Sequence, residues 1–274
     1  MSHRAAFIDR LHLLLSRSAT ITRFAILLRN QCRAIIKHRL MNAADVATSG
    51  EAWLAERMAS RCRTFVDAGA NTGQWAGIFL EYAPVNVRGF LYEPGREAME
   101  ILRRNVRRSG IETIDAALSD RPTEGATFFE ERSAGSMSSL TRAAAPENSA
   151  QTLVRVTTLD IEMQRLGIEA IDFLKIDTEG HDLYVLRGAE SLLRRQAIAA
   201  LQFEYSDAWA RSGGTLGAAL DLLSAHGYRS FVLARNCLYR FDYGMFGEFF
   251  TYSNFVAFTP AALEPFAADV RDLL

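Results

Sequence analysis

From Arg63 onward, short apolar runs alternate with longer stretches whose apolar positions recur every three or four residues. Thr64–Asp67, Arg88–Tyr92, Glu112–Leu118, Ile171–Ile176 and Ala200–Tyr205 predict strands, and Tyr228–Leu233 and Phe255–Phe258 predict two more. Between them, Gln74–Tyr82, Arg96–Arg108, Asp182–Arg195 and Leu216–His226 predict helices. The β-α-β-α order implies an α/β domain with a doubly wound, mostly parallel sheet and helices on both faces. The rhythm breaks over residues 119–157, where Phe128–Glu130 and Leu153–Thr157 look extended around a Ser/Ala-rich segment, Ser133–Ala150. That segment reads as a long loop covering a site. Before the alternation starts, residues 5–40 place Phe7, Ile8, Leu11, Leu14, Leu15 and then Ile21, Phe24, Leu27 and Leu28 at helical spacing. The pattern divides the chain into a helical extension (1–60), an α/β domain (61–262) and a C-terminal tail (263–274).

Charge changes this picture in one place. The chain as a whole carries a formal net charge of −1 and offers no argument for nucleic-acid binding. Residues 1–40, however, hold many arginines and a single acid, Asp9. This extension reads as a helical layer packed on the domain, as a surface helix touching anionic membrane or a partner, or as an Arg-rich transit segment. No apolar run is long enough for a membrane span, and no signal peptide is recognisable. The three cysteines, Cys32, Cys62 and Cys237, have neither disulfide nor metal-ligand spacing, so a cytoplasmic protein without a structural metal is expected.

The first chemical signal is Phe65-Val66-Asp67-Ala68-Gly69-Ala70-Asn71-Thr72-Gly73. An apolar strand ends at an acid, and a turn with two glycines leads into a helix. Glycine permits close backbone approach and φ > 0, and Asn71 is the next most tolerant type for left-handed geometry. The second strand ends at Glu93, where doubly wound folds bind ribose hydroxyls. Nicotinamide enzymes prefer G-x-G-x-x-G, with a helix N-terminus facing a pyrophosphate. Here the spacing is D-x-G-x-x-x-G, and a carboxylate at that point suits a cationic ligand such as S-adenosylmethionine. A nicotinamide-dependent oxidoreductase and a non-catalytic nucleotide-binding protein are the competing readings. Asp115, near the end of the third strand, is a candidate for the adenine amino group or a surface turn acid.

The second signal is Ile171 to Asp182, which gathers charge at the carboxyl end of a buried strand. Alternation along a strand would project Lys175, Asp177 and Glu179 to one side. Only two lysines, Lys37 and Lys175, occur among 31 basic residues, so a lysine here suggests a compact ammonium chosen over a guanidinium. A self-satisfied ion cluster and a catalytic group both fit, and a divalent cation on Asp177 and Glu179 is a lesser reading. His181 and Asp182 fit a first helical turn.

Phe65–Trp75, Tyr92-Glu93-Pro94, Ala116–Asp120, Ser136–Leu140, Thr158-Leu159-Asp160 and Ile171–Glu190 together resemble the FkbM family of methyltransferases. The resemblance runs roughly from Thr64 to Phe258 and leaves the basic extension outside it. It implies a Rossmann-like class I methyltransferase fold with a seven-stranded sheet, S-adenosylmethionine as donor, and O-methylation of a sugar or secondary-metabolite hydroxyl. By position it assigns Asp67, Gly69, Asn71 and Gly73 to the methionine side, Glu93 to the ribose, and Asp115, Ala116 and Ala117 to the adenine. Lys175, Asp177 and Glu179 would face the transfer site, with His181, Glu204 and Asn254 on the acceptor side. Loop 119–157 and the aromatic segment Arg235–Asn254 would shape the acceptor pocket.

Overall fold

The computed structural model describes residues 3–40, 49–131 and 137–274. They fall into two compact units, residues 1–41 and 42–274. The first consists of two helices, His3–Ser16 and Ala19–Leu40, which meet at a bend of 109°. No single helix among the described residues is long and apolar enough to cross a membrane.

The second unit is built on one large mixed sheet. Its strands, in chain order, are β1 (Thr64–Ala68), β2 (Arg88–Tyr92), β3 (Ile111–Ile114), β7 (Ile171–Ile176), β8 (Ile198–Tyr205), β9 (Arg229–Ala234), β10 (Cys237–Arg240), β11 (Ser253–Phe258) and β12 (Val270–Asp272). Across the sheet they run β3-β2-β1-β7-β8-β11-β9-β10-β12. The first five are mutually parallel, and β11 lies antiparallel between β8 and β9. From β1 the chain winds outward to β3, then returns to the middle and winds the other way through β7 and β8. The reversal leaves a crevice at the carboxyl ends of β1 and β7, where open α/β sheets bind ligands.

Seven of these strands follow the expected Rossmann-like arrangement, and β10 and β12 extend the edge to nine. The region beyond residue 263 is therefore no tail: a short 3-10 turn, Glu264–Asp269, leads into β12, which pairs with β10. The boundary near residue 60 also shifts. Helix Glu51–Ala59 buries Leu54, Ala55 and Ala59 in the same core as Phe65, Phe79 and Phe258. The expected strand 112–118 is two pieces. β3 stops at Ile114, and β4 (Ala117–Leu118) joins β5 (Thr123–Glu130) and β6 (Ala150–Thr157) in a second, three-stranded sheet. The supposed loop thus has a framed base, with Ser139 bridged to Phe129, while its stretch 132–136 lies outside the described residues. The expected helix Asp182–Arg195 is broken in two at Gly188 and Ala189. Asp160 explains the break, because its carboxylate accepts the backbone N–H groups of Ser191 and Leu192 and so caps a fresh helix start.

One face of the sheet carries an aromatic layer below a polar one. Register pairs Phe65 with Phe173, and two residues further it pairs Asp67 with Lys175. Trp75 and Phe79, on helix Gln74–Tyr82, stack against both phenylalanines at ring separations of 4.7–6.3 Å. This packing fixes the helix that follows the first turn, and with it the height of the turn over the sheet. Phe79 is fully buried. Phe79→Ala should lower the free energy of unfolding by about 3–5 kcal/mol in denaturant titration, because the surrounding rings leave little room for collapse.

Candidate active site

Three strand ends are tied together before any side chain enters the site. The backbone N–H groups of Gly69 and Ala70 both donate to the carbonyl of Tyr92, and the N–H of Asp177 donates to the carbonyl of Ala68. Gly69 has φ +86°, and a Cβ there would lie 1.9 Å from the Asp177 carbonyl oxygen. No other residue type lets the β1 turn pass so close to the end of β7. Asn71 takes the left-handed conformation expected of it, with φ 46°.

Glu93 occupies the end of β2 and is almost wholly buried. Its two carboxylate oxygens accept the N–H groups of Asn71 (2.8 Å) and Gly95 (2.7 Å), so it clamps the first turn to the second. Burial pushes it up to about 7. Burial does the same to Asp67, also to about 7, against the opposing pull of Lys175. One oxygen of Asp67 and the amide oxygen of Asn71 are buried without a hydrogen-bond partner. Such orphans are costly unless a ligand meets them.

Asn71 and Glu93 border a cleft at the switch point. Gly69, Asn71, Glu93, Ala116, Ala117, Asp177, Glu179 and His181 line it. Several expected residues stand elsewhere. Asp115 is exposed and is not among the lining residues; its neighbours Ala116 and Ala117 face the cleft because the chain bends there from one sheet into the other. Gly73 starts the helix, and a Cβ there would come within 2.7 Å of Leu102 and Val106, so it serves packing. Asp67, Lys175, Glu204 and Asn254 form the layer behind the lining. The reading missed Tyr92, Pro94, Ala98, Leu118, Phe128, Ser138, Leu140 and Thr178, which also line the cleft. Most are small or apolar and carried no chemical signal, although Tyr92, Pro94, Ser138 and Leu140 lay inside motifs already marked. The aromatic segment 235–254 contributes none of the lining residues; Phe249 is buried against Tyr205 and Phe255.

The charged cluster differs in form from the expected alternating strand. β7 ends at Ile176, so only Lys175 is on it. Asp177 and Glu179 follow in a turn, with Glu179 at φ 51°. Lys175, 2% exposed, donates to Asp177 at 2.9 Å and lies 3.6 Å from Glu51. Glu51 in turn accepts from Gln202, which also donates to Asn254. Glu51 had no local signal, being more than a hundred residues from its partner. Burial, reinforced by the negative charges of Asp177 and Asp182, pushes Glu179 up to about 9. Glu204 is also raised well above the carboxylate range, chiefly by burial. His181 shares a 2.8 Å hydrogen bond with the Ser119 hydroxyl, and burial lowers it to about 4, so its ring is neutral at physiological pH. Its Nδ1 has no partner. Among the described residues no three His, Cys, Asp or Glu side chains converge as a metal-binding group.

The strand order, the switch-point cleft and the acid at the end of β2 define a class I methyltransferase of Rossmann-like fold. Residues 67–230 match the methyltransferase FkbM domain, and the chain belongs to that family. No curated protein matches it. Among solved structures it is similar to a precorrin-6y C5,15-methyltransferase from Geobacter metallireducens (14% identity, 80% of this chain and 94% of the other, TM-score 0.42). It is also similar to an O-methyltransferase from Bacillus cereus in complex with SAH (9% identity, 83% and 86%, TM-score 0.40). Both likenesses are loose.

The protein is an S-adenosylmethionine-dependent methyltransferase, and the cradle fits that donor. Asp177, Glu51 and Asp67 share one buried cation, Lys175, so further positive charge is accommodated. A sulfonium and an ammonium supply it, whereas a pyrophosphate would be repelled. Of the residues expected to hold the donor, Gly69, Asn71, Glu93, Ala116 and Ala117 line the cleft, while Asp67 is buried with one oxygen unpartnered.

The sign of the pH dependence follows. Both Asp67 and Glu93 sit near 7, and a cationic, hydroxyl-donating ligand favours their ionised forms. Donor affinity should therefore rise as pH increases through about 7, with proton release below it. Calorimetric titration in buffers of different ionisation enthalpy reads both effects. Glu93→Gln should weaken binding roughly ten- to hundredfold and flatten the slope.

Proposed function

We propose that the enzyme O-methylates a hydroxyl of a sugar or hydroxylated secondary metabolite. The observation that carries this reading is Asp177, a carboxylate on the cleft wall whose side chain is 36% exposed and pinned from behind by the buried Lys175 ammonium. When bound, S-adenosylmethionine supplies an electrophilic methyl group on sulfur. An alcohol oxygen taking that methyl, with the carbon–sulfur bond breaking as the carbon–oxygen bond formed and the thioether leaving, would lose its proton, and Asp177 would accept it. Lys175 holds that carboxylate in one orientation.

The neighbouring groups suit a polyhydroxylated acceptor. Glu179, raised to about 9, keeps its proton at neutral pH and can donate a hydrogen bond as well as accept one. Neutral His181 has Nδ1 still available. Glu204 is itself raised well above the carboxylate range, by burial first and then by the charges of Asp177 and Glu179. Ser138, Leu140 and Phe128 complete the wall from the second sheet.

Transfer from isotope-labelled donor to a panel of sugars, glycans and hydroxylated metabolites, with the product's new bond read by NMR, tests the reading. A methoxy product is expected; an N-methyl or C-methyl product would overturn it. Asp177→Asn should lower turnover about 10²–10⁴-fold while donor affinity stays within a few-fold. Full turnover with an unchanged pH profile would remove Asp177 from proton transfer.

A further inference from the structure

The first two helices are unlike the rest of the chain. On Ala19–Leu40, Ile21, Phe24, Leu28 and Ile35 recur at three, four and seven residues and form one stripe, and all are exposed, Phe24 at 67% and Ile35 at 72%. Ile26 and Leu27 fall outside the stripe. Arg29, Arg33 and Lys37, spaced by four, run along the opposite side of the helix. On His3–Ser16, Phe7, Ile8, Leu11, Leu14 and Leu15 make a second exposed apolar face. A soluble surface seldom leaves this much contiguous apolar area open.

We propose that residues 3–40 form an interfacial hairpin that seats the enzyme on an anionic lipid surface. Charge selects this occupant. Asp9 is the only acid among the first forty residues, where basic residues recur throughout, while the whole chain is at −1. Docking against a second copy of the same segment would bring two strongly basic surfaces together. An anionic bilayer accepts the apolar stripe in its acyl boundary and the arginines at its headgroups. The segment does not span: together the two helices have the length and composition to cross, but the 109° bend and the cations inside the second favour a position in the interface plane.

The test is co-sedimentation of the full-length protein with vesicles of phosphatidylcholine alone and of phosphatidylcholine with phosphatidylglycerol. Binding is expected only with the anionic lipid and should weaken as salt is raised. The triple variant R29E/R33E/K37E and the double variant F24S/L28S should each lose at least tenfold in vesicle affinity. Their donor binding should be unchanged, which shows that the catalytic unit is folded. Failure to bind anionic vesicles, or equal binding to neutral ones, overturns the proposal. So does anionic binding indifferent to F24S/L28S, or self-association in solution that F24S/L28S abolishes. None of these readouts involves the methyl acceptor, so the outcome is independent of the O-methylation reading.

Discussion

One buried ammonium organises the ligand side of this protein. Lys175 sits on the central strand and reaches Asp177, with Glu51 close by and Asp67 opposite it in register. A buried ion cluster adds little net stability, because the desolvation of each charge offsets most of the attraction. What it adds is position. With Lys175 in place, the turn after β7, the end of β1 and a helix from much earlier in the chain must meet at one point. Removing the ammonium would leave several buried carboxylates facing each other without compensation.

That arrangement leaves the site short of positive charge, and the shortage is divided in space. On the donor side, Asp67 and Glu93 stand near neutrality, poised to ionise when a cation arrives. Further along the cleft, Glu179 is pushed up to about 9 and keeps its proton at neutral pH, and Glu204 is also raised well above the carboxylate range. The same residue type thus behaves as an ion on one wall and as a neutral hydrogen-bonding group on the other. Burial raises them all; backbone N–H groups of Gly95 and Asn71 hold Glu93 down, Lys175 holds Asp67 down, and Asp177 and Asp182 drive Glu179 further up.

Much of this was legible in the chain itself. The strands at 88–92 and 171–176 and the helix at 74–82 carry strong local patterns, and the turn from Asp67 to Gly73 announces its geometry by residue type. What escaped was non-local. Asp115 is exposed while Ala116 and Ala117 face the cleft as expected, because the chain leaves one sheet for another there, and nothing in Asp115-Ala116-Ala117 marks that bend. Lys175, Asp177 and Glu179 looked like one face of a strand, but Gly180 and the left-handed Glu179 belong to a turn that ends the alternation. Asn254, expected in the acceptor pocket, is instead a buried partner of Gln202, because β11 inserts between β8 and β9. Phe249 and its aromatic neighbours were chemically suited to stacking on a sugar, yet a large buried aromatic group also fills a core, and here it does.

The position of Glu51 bears on how this enzyme can be dissected. The family match begins at residue 67, and a protein engineer would naturally cut there. Such a cut would sever a carboxylate that lies against the catalytic-side lysine, and would strip Leu54 and Ala59 from the shared core. At the other end, stopping at residue 230 would delete the antiparallel strand that closes the sheet beside β8. The conserved-looking block is therefore not a module in the physical sense. The compact unit that holds the sheet and the cleft runs from residue 42 to residue 274, and grafts or minimal versions are best drawn on those limits.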